Sequence, residues 1–391
     1  MAKKKTNDTS DTMGSIDLAK VLSDSLNKKF SKKLGHDIVY KLPDDFLENG
    51  TVPYYISTGN FALDLAISNK RDGGLPAGRI IEFTGLEQSG KTLISAHILA
   101  ETQKIGGYAI YIDTEHSFLP EYFGKVCGID FNNNWLHIEM DDLETIFEII
   151  EQVIIDIRST DKDIPVTIVL DSIMGASTPE EISAGYGKEG YATSKSIILS
   201  KAMRKLTNVF GREIITFVPT NQLRYNVNAS MPGQDKYITS GGKAIDFHSS
   251  VKVRMQKIRT ITHEDKYKIK QKIGNLVKCS IKKNRLGPPE KTINFNLFYD
   301  SGMDDIQSTL DLAKDYKLIS AAGAYYDYAP ISGEKIRFQK SEFKDIFNGE
   351  TGLLDELKDR IAERYIMEYT DKAAPDTSIK GEVSFELDND D

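Results

Sequence analysis

Residues Gly85-Leu86-Glu87-Gln88-Ser89-Gly90-Lys91-Thr92 fit the spacing G-x-x-x-x-G-K-[ST], and their neighbours restrict what can surround them. Arg79 to Thr84 reads as a buried strand, and Leu93 to Thr102 as a helix with apolar residues at helical spacing. A strand, a glycine loop and a helix in that order present backbone N–H groups and a helix N-terminus to phosphate oxygens. Lys91 is placed to reach the β- and γ-phosphates, and Thr92 to offer its hydroxyl to Mg²⁺. The chain is expected to bind a nucleoside triphosphate, with the run Gly85 to Thr92 around the phosphates.

The rest of the chain supplies a fold for this loop. Tyr108 to Asp113, Val166 to Asp171 and Glu213 to Val218 are near-continuous apolar or β-branched runs, expected of parallel strands covered on both faces. Helical patterns separate them at Asp142 to Ile157 and Thr193 to Val209. Ser250 to Met255, Leu276 to Ile281 and Ile293 to Tyr299 follow closely and predict an antiparallel extension. Ser15 to Leu34 is an amphipathic helix whose apolar face needs a partner. The expected fold class is α/β, a phosphate-loop ATPase core with a mostly parallel sheet, an N-terminal helix and a small α+β C-terminal domain. The expected divisions are a disordered 1–13, a helix and linker at 14–52, a core at 53–302, a C-terminal domain at 303–370 and an acidic tail at 371–391.

Length and composition narrow the class. With 391 residues, 40% hydrophobic and 28% charged, the chain can bury a large core, and no apolar run approaches a membrane span. Two cysteines exclude a disulfide framework, and a cytoplasmic protein is expected. The net charge of −8 conceals a polarity. Residues 222–290 carry fifteen Lys/Arg against five Asp/Glu, while 375–391 carry six acids and one lysine. A polyanion site with a competing acidic segment would give this pattern, and so would a solvated face with a disordered tail.

Three polar residues fall where strands end, the edge at which open α/β sheets bind ligands. Asp171, followed by Ser172, suits the hydration shell of Mg²⁺. Glu115, two residues past Asp113, suits a base for water attacking the γ-phosphate. Gln222 suits an amide that senses that phosphate. Each alone could be a helix cap or turn residue. Two Gly-rich loops, about 183–190 and 231–243, leave the same edge. Their glycines and lysine suit a phosphodiester backbone read without sequence preference, although mobile surface loops would look the same.

Taken together these residues resemble the RecA family of DNA strand-exchange recombinases. The blocks that carry the resemblance include Ile56-Ser57-Thr58-Gly59, Gly73-Gly74-Leu75-Pro76, the phosphate loop, Ile112-Asp113-Thr114-Glu115-His116, Thr239-Ser240-Gly241-Gly242 and Lys283-Asn284-Arg285. It implies ATP and Mg²⁺ as cofactors, Glu115 as the catalytic glutamate, and Gln222 as an amide switch between ATP and DNA. Lys283 and Arg285 match a basic pair that reaches the γ-phosphate of the adjacent subunit. Ser200, Arg204, Arg224, Gly241, Gly242 and Lys243 are the implied DNA contacts, with Val227 as an aliphatic wedge between base triplets. Tyr122 fits the adenine-stacking tyrosine, whereas Leu119 and Ile306 replace an acid and a second tyrosine of the base site. These departures fit a divergent member of the kind phages encode. The implied partners are single- and double-stranded DNA, further copies in a helical filament, and single-strand-binding and loading proteins, with no membrane. A hexameric helicase with the same core, or a mediator that barely hydrolyses ATP, are the rival readings.

Overall fold

The computed structural model describes residues 18–34, 52–183, 192–226, 235–239, 242–331, 333–347 and 351–367. Two compact units divide at residue 53. In the first, a helix spans Leu18–Leu34 and exposes Val21, Leu22 and Leu26. Lys32 and Lys33 in its last turn oppose the negative end of the helix dipole.

The second unit is built on one large sheet. Strands are numbered in chain order: β1 (Tyr55–Ile56) and β2 (Leu75–Pro76) form a small antiparallel pair. The parallel strands are β3 (Ile81–Gly85), β4 (Tyr108–Asp113), β5 (Trp135–Glu139), β6 (Val166–Asp171), β7 (Ile215–Tyr225) and β9 (Val251–Glu264). They lie in the spatial order β9-β3-β7-β6-β4-β5. The short β8 (Tyr237–Thr239) pairs with β7, and β10 (Lys270–Asn284), β11 (Thr292–Phe298) and β12 (Gly302–Met303) extend the other side antiparallel.

Period-two alternation divides the side chains of this sheet between two cores. Ala109, Tyr111 and Val169 join one cluster with Phe83 and the helix Lys91–Lys104. Ile110, Ile112, Ile168 and Leu170 join the other, under the helices Leu143–Thr160 and Ala192–Arg212. The helix Leu143–Thr160 starts where the Asp142 carboxylate accepts from Thr145 N at 2.9 Å. Leu143, Ile146, Phe147, Ile150 and Ile154 then supply its buried stripe.

The end of the chain packs a helix (Asp305–Asp315), β13 (Ile319–Ala322), β14 (Tyr325–Tyr328), β15 (Ile336–Gln339) and a helix (Leu353–Tyr365). Phe338, Phe343, Phe347, Leu357 and Ile361 are buried in the same cluster as Phe83, so this module shares the main core.

Three expectations need correction. Gln222, expected where a strand ends, lies inside β7, which runs on to Tyr225 because its outer residues pair with β8. The strands expected at 250–255 and 276–281 are inner segments of β9 and β10, which run on as a long hairpin to residues 264 and 270. The outer part is largely solvated, so its sequence lacks the apolar alternation that marks a half-buried strand. It is closed by Asp265, whose carboxylate accepts from Tyr267 N (2.8 Å) and Ile269 N (2.9 Å). The Gly-rich loop expected at about 231–243 contains β8, and a short helix, Ala244–His248, follows it.

Candidate nucleotide site and nucleic-acid interface

The phosphate loop joins the C-terminal end of β3 to the helix Lys91–Lys104. Its glycines are steric requirements. Gly90 caps the helix at φ 93°, and a Cβ there would lie 2.3 Å from Leu297 Cδ1. A Cβ at Gly85 would lie 2.3 Å from Ser89 Oγ and 2.7 Å from the Met255 carbonyl. Leu86, Glu87 and Gln88 are exposed, while Ser89 is buried. Lys91 Nζ donates to the Gly85 (3.1 Å) and Leu86 (2.9 Å) carbonyls. Burial pushes its ammonium below the usual lysine range, against the pull of Asp171, Glu115 and Glu87. A cation bonded only to loop carbonyls is placed for an anionic ligand.

Parallel register sets the other residues at the same edge. Gly85 lies opposite Gln222, and Asp113 opposite Asp171. Asp171 is buried and held from three sides. Thr220 Oγ1 donates to Oδ1 at 2.5 Å, and Thr92 Oγ1 (2.6 Å) and the Tyr111 hydroxyl (3.1 Å) donate to Oδ2. Burial raises its carboxyl pKa, and the Glu115 charge adds to that, while the Thr220, Thr92 and Tyr111 bonds oppose it. The Thr92 hydroxyl and Asp171 carboxylate side by side are an oxygen donor pair that fits Mg²⁺ with its water shell.

Glu115 is exposed on the turn after β4. The Asp113 carboxylate shapes this turn by accepting from Glu115 N (3.0 Å) and Phe118 N (2.9 Å). Glu115 Oε1 accepts from Ser172 Oγ and, at 3.4 Å, from Gln222 Nε2. The carboxylate and amide singled out separately in the sequence are therefore in contact. Reading the sequence did not find Thr220, Tyr111, Asp113 or the Ser172 contact. Thr220 lies two residues before Gln222, the one local signal that could have exposed it.

Tyr122 ends a short helix, Pro120–Tyr122, and is half-buried against the core. Burial pushes its hydroxyl up to about 12. Ile306 packs against the same cluster, and Leu119 is exposed.

Lys283 and Arg285 lie elsewhere. In register Asn284 meets Val251, which meets Ile81, so the pair sits at the N-terminal end of β3. The phosphate loop leaves the C-terminal end, roughly 13 Å away along the strand. Lys283 Nζ donates to the Asp246 (2.5 Å) and Phe247 (3.1 Å) carbonyls, and Arg285 Nη2 to the Phe247 carbonyl at 2.9 Å. Burial lowers the Lys283 pKa, and the Arg285 charge lowers it further.

The helix Ala192–Arg212 carries two of the expected DNA contacts, Ser200 and Arg204. Ser200 Oγ donates to the Ser196 carbonyl (2.7 Å), and Arg204 Nε to the Ser200 carbonyl (3.0 Å). A Cβ on Gly242, which has φ 81°, would lie 3.0 Å from Ser196 Oγ, so this glycine allows close approach to that helix. Lys243 precedes the short helix Ala244–His248, whose His248 Nδ1 is 2.9 Å from Thr207 Oγ1. Arg224, exposed at the end of β7, lowers the pKa of Lys195 after the larger effect of burial. Lys195 itself is buried, and its Nζ donates to the Met174 carbonyl at 3.4 Å. Val227, Gly241 and residues 184–190 lie outside the described residues.

With this geometry the relatives can be compared. A profile of the RecA N-terminal domain matches residues 20–304. The chain belongs to the RecA family. It is 34% identical over 309 residues to Protein RecA of Xanthomonas campestris pv. campestris (strain B100), covering 79% of this chain and 84% of that one. It is 31% identical over 353 residues to Protein RecA of Clostridium novyi (strain NT), covering 90% and 93%. The RecA relationship supports a recombinase role in DNA repair and recombination. Proteins of the RecA family are DNA-dependent ATPases that use ATP and Mg²⁺. Among the described residues no helix is long and apolar enough to cross a membrane.

Proposed function

We propose that the chain is an ATP-dependent recombinase that polymerises on single-stranded DNA and catalyses homologous pairing and strand exchange. The observation that supports this reading is the separation of the phosphate-loop cluster from the Lys283–Arg285 pair. The phosphate loop, Glu115, Gln222 and Asp171 occupy one edge of the sheet, and Lys283 with Arg285 occupies the other. A basic pair so placed serves a γ-phosphate on a neighbouring copy, and head-to-tail repetition of such a contact generates a helix or a ring.

In each subunit Lys91 neutralises phosphate charge and Glu115 orients and deprotonates water. Gln222 links the reacting edge to β7, which continues to Arg224 and the second DNA loop. Mg²⁺, held by Thr92 and through water by Asp171, would neutralise charge on the phosphate oxygens. Lys283 and Arg285 bridge subunits while the γ-phosphate is present, and hydrolysis removes that bridge. Arg204, Arg224 and Lys243 contact the DNA backbone, so base pairing alone reads the sequence. Tyr122 stacks on adenine, and the protein works in the cytoplasm.

The deciding experiment is electron microscopy of the protein on long single-stranded DNA with a slowly hydrolysed ATP analogue. Continuous helical filaments, longer than B-form DNA of equal nucleotide count, are expected. Closed six-membered rings would replace this reading with a helicase, and bare DNA would replace it with a mediator.

A further inference from the structure

Two cations of β9 hold two carboxylates, Asp235 within the second loop and Asp246 just after it. Lys252 and Arg254 are two residues apart and share one face of the strand. Lys252 Nζ is 2.8 Å from Asp246 Oδ1, in the short helix Ala244–His248. Arg254 Nη1 donates to Asp235 Oδ1 at 2.9 Å, and its Nη2 contacts Asp235 Oδ2, just before β8. Burial would raise the pKa of both aspartates. Their contacts with these cations hold both below the usual range instead, with Lys283 and Lys243 adding to the effect at Asp246.

Lys252 has a second carboxylate. Glu82 of β3 lies opposite it in register and is buried, with Oε2 3.6 Å from Lys252 Nζ. Glu82 Oε1 accepts from Asn221 Nδ2 at 3.0 Å, and Asn221 immediately precedes Gln222, which touches Glu115. The Asp246 carbonyl in turn accepts from Lys283 Nζ. One ammonium thus stands between the strand that carries the phosphate loop and the helix that closes the second loop.

We infer that Lys252 is a positioning residue shared between Glu82 and Asp246, and that with Arg254 it couples nucleotide state at Gln222 to the set of the second DNA loop and of Lys283. The inference rests on the function proposed above. A shift of Gln222 carries Asn221 with it and alters the hydrogen bond on Glu82. Glu82 then draws the ammonium closer or releases it to Asp246. An ammonium shared between two carboxylates can shift toward either one, and such a shift, biased from both ends, would transmit a coupling free energy between the sites.

The test uses Asp246→Asn and Asp235→Asn in the full chain. Both carboxylates are about half exposed, and after Asp246→Asn Lys252 keeps Glu82; after Asp235→Asn the side-chain oxygen of the asparagine still accepts from Arg254, which is 18% exposed. Fluorescence anisotropy of a labelled oligo-dT gives DNA affinity with a slowly hydrolysed ATP analogue and with ADP. A fluorescent nucleotide, titrated without DNA, gives the nucleotide affinity. The expected result is nucleotide affinity within about twofold of wild type. The ratio of DNA affinities between the two nucleotide states is expected to fall at least about fivefold. Asp246→Glu, which keeps the carboxylate, should recover part of that ratio. A purely structural contact would weaken both states by one factor and leave the ratio intact, and that outcome overturns the inference. If wild type shows no nucleotide-dependent DNA affinity, the proposed function fails at its own step.

Discussion

Glu115 owes its place to Asp113 more than to its own surroundings. The Asp113 carboxylate accepts two backbone N–H groups of the turn, and Ser172 and Gln222 then fix one oxygen of the exposed glutamate. A carboxylate held this way can aim at a water without being buried. Glu115→Gln keeps the shape and the Gln222 contact but removes the base. Steady-state ATP hydrolysis on single-stranded DNA should fall by about 10²- to 10⁴-fold, while nucleotide-dependent DNA binding persists. Turnover near the wild-type rate would take Glu115 out of that role.

Among the elements, the turn 57–60 and the helix Phe61–Ser68 are tied by one buried acid. Asp64 accepts from Ser57 Oγ (2.5 Å), Thr58 N (2.7 Å) and Thr58 Oγ1 (2.7 Å). Burial nevertheless pushes its carboxyl up to about 7, with the Asp305 charge adding to the rise. Nearby, His97 Nε2 accepts from Met303 N at 3.2 Å, and burial pushes the imidazole down to about 4. The two groups act oppositely on stability. The folded state holds the Asp64 proton more tightly, so that contribution is full below 3.8 and is lost as pH rises through about 7. The folded state disfavours protonated His97, so that contribution is full above 6.5 and is lost as pH falls through about 4. Asp64→Asn removes the first and leaves the second. Urea unfolding midpoints of this variant should therefore rise with pH across that window more steeply than those of wild type. Parallel profiles would mean that Asp64 stays ionised when folded.

For the whole molecule, the separation of Lys91 from Lys283 and Arg285 makes a prediction that a self-contained site would not. Lys91→Ala should lose nucleotide binding, and a Lys283→Ala/Arg285→Ala chain should lose the intersubunit bridge. Neither should hydrolyse ATP alone. Mixed in equal amounts, they form some interfaces that join an intact phosphate loop to an intact basic pair. In a randomly mixed head-to-tail polymer these are about a quarter of all interfaces. ATPase activity should return to about that fraction of wild type. No recovery in a mixture that still co-assembles on DNA would place both halves of the site within one subunit.

The phosphate loop with its strand and helix, the parallel α/β core and the strand ends that carry Asp171 and Glu115 were legible in the sequence. These are local matters of spacing, glycine content and runs of buried residues, and they need no knowledge of neighbours. The tertiary structure decided what depends on register between distant segments. Only the pairing of β4 with β6 and of β6 with β7 brings Gln222 to Glu115, and only that of β10 with β9 and β9 with β3 puts Lys283 at the opposite edge. The Thr220, Thr92 and Tyr111 bonds to Asp171 come from four segments that no local pattern relates. The long β9–β10 hairpin was illegible because solvated strands are held by backbone pairing, which leaves little trace in side-chain polarity. The Lys252 contacts were illegible for a related reason: a buried lysine between Glu82 and Asp246 looks, in sequence, like any charge on a surface strand.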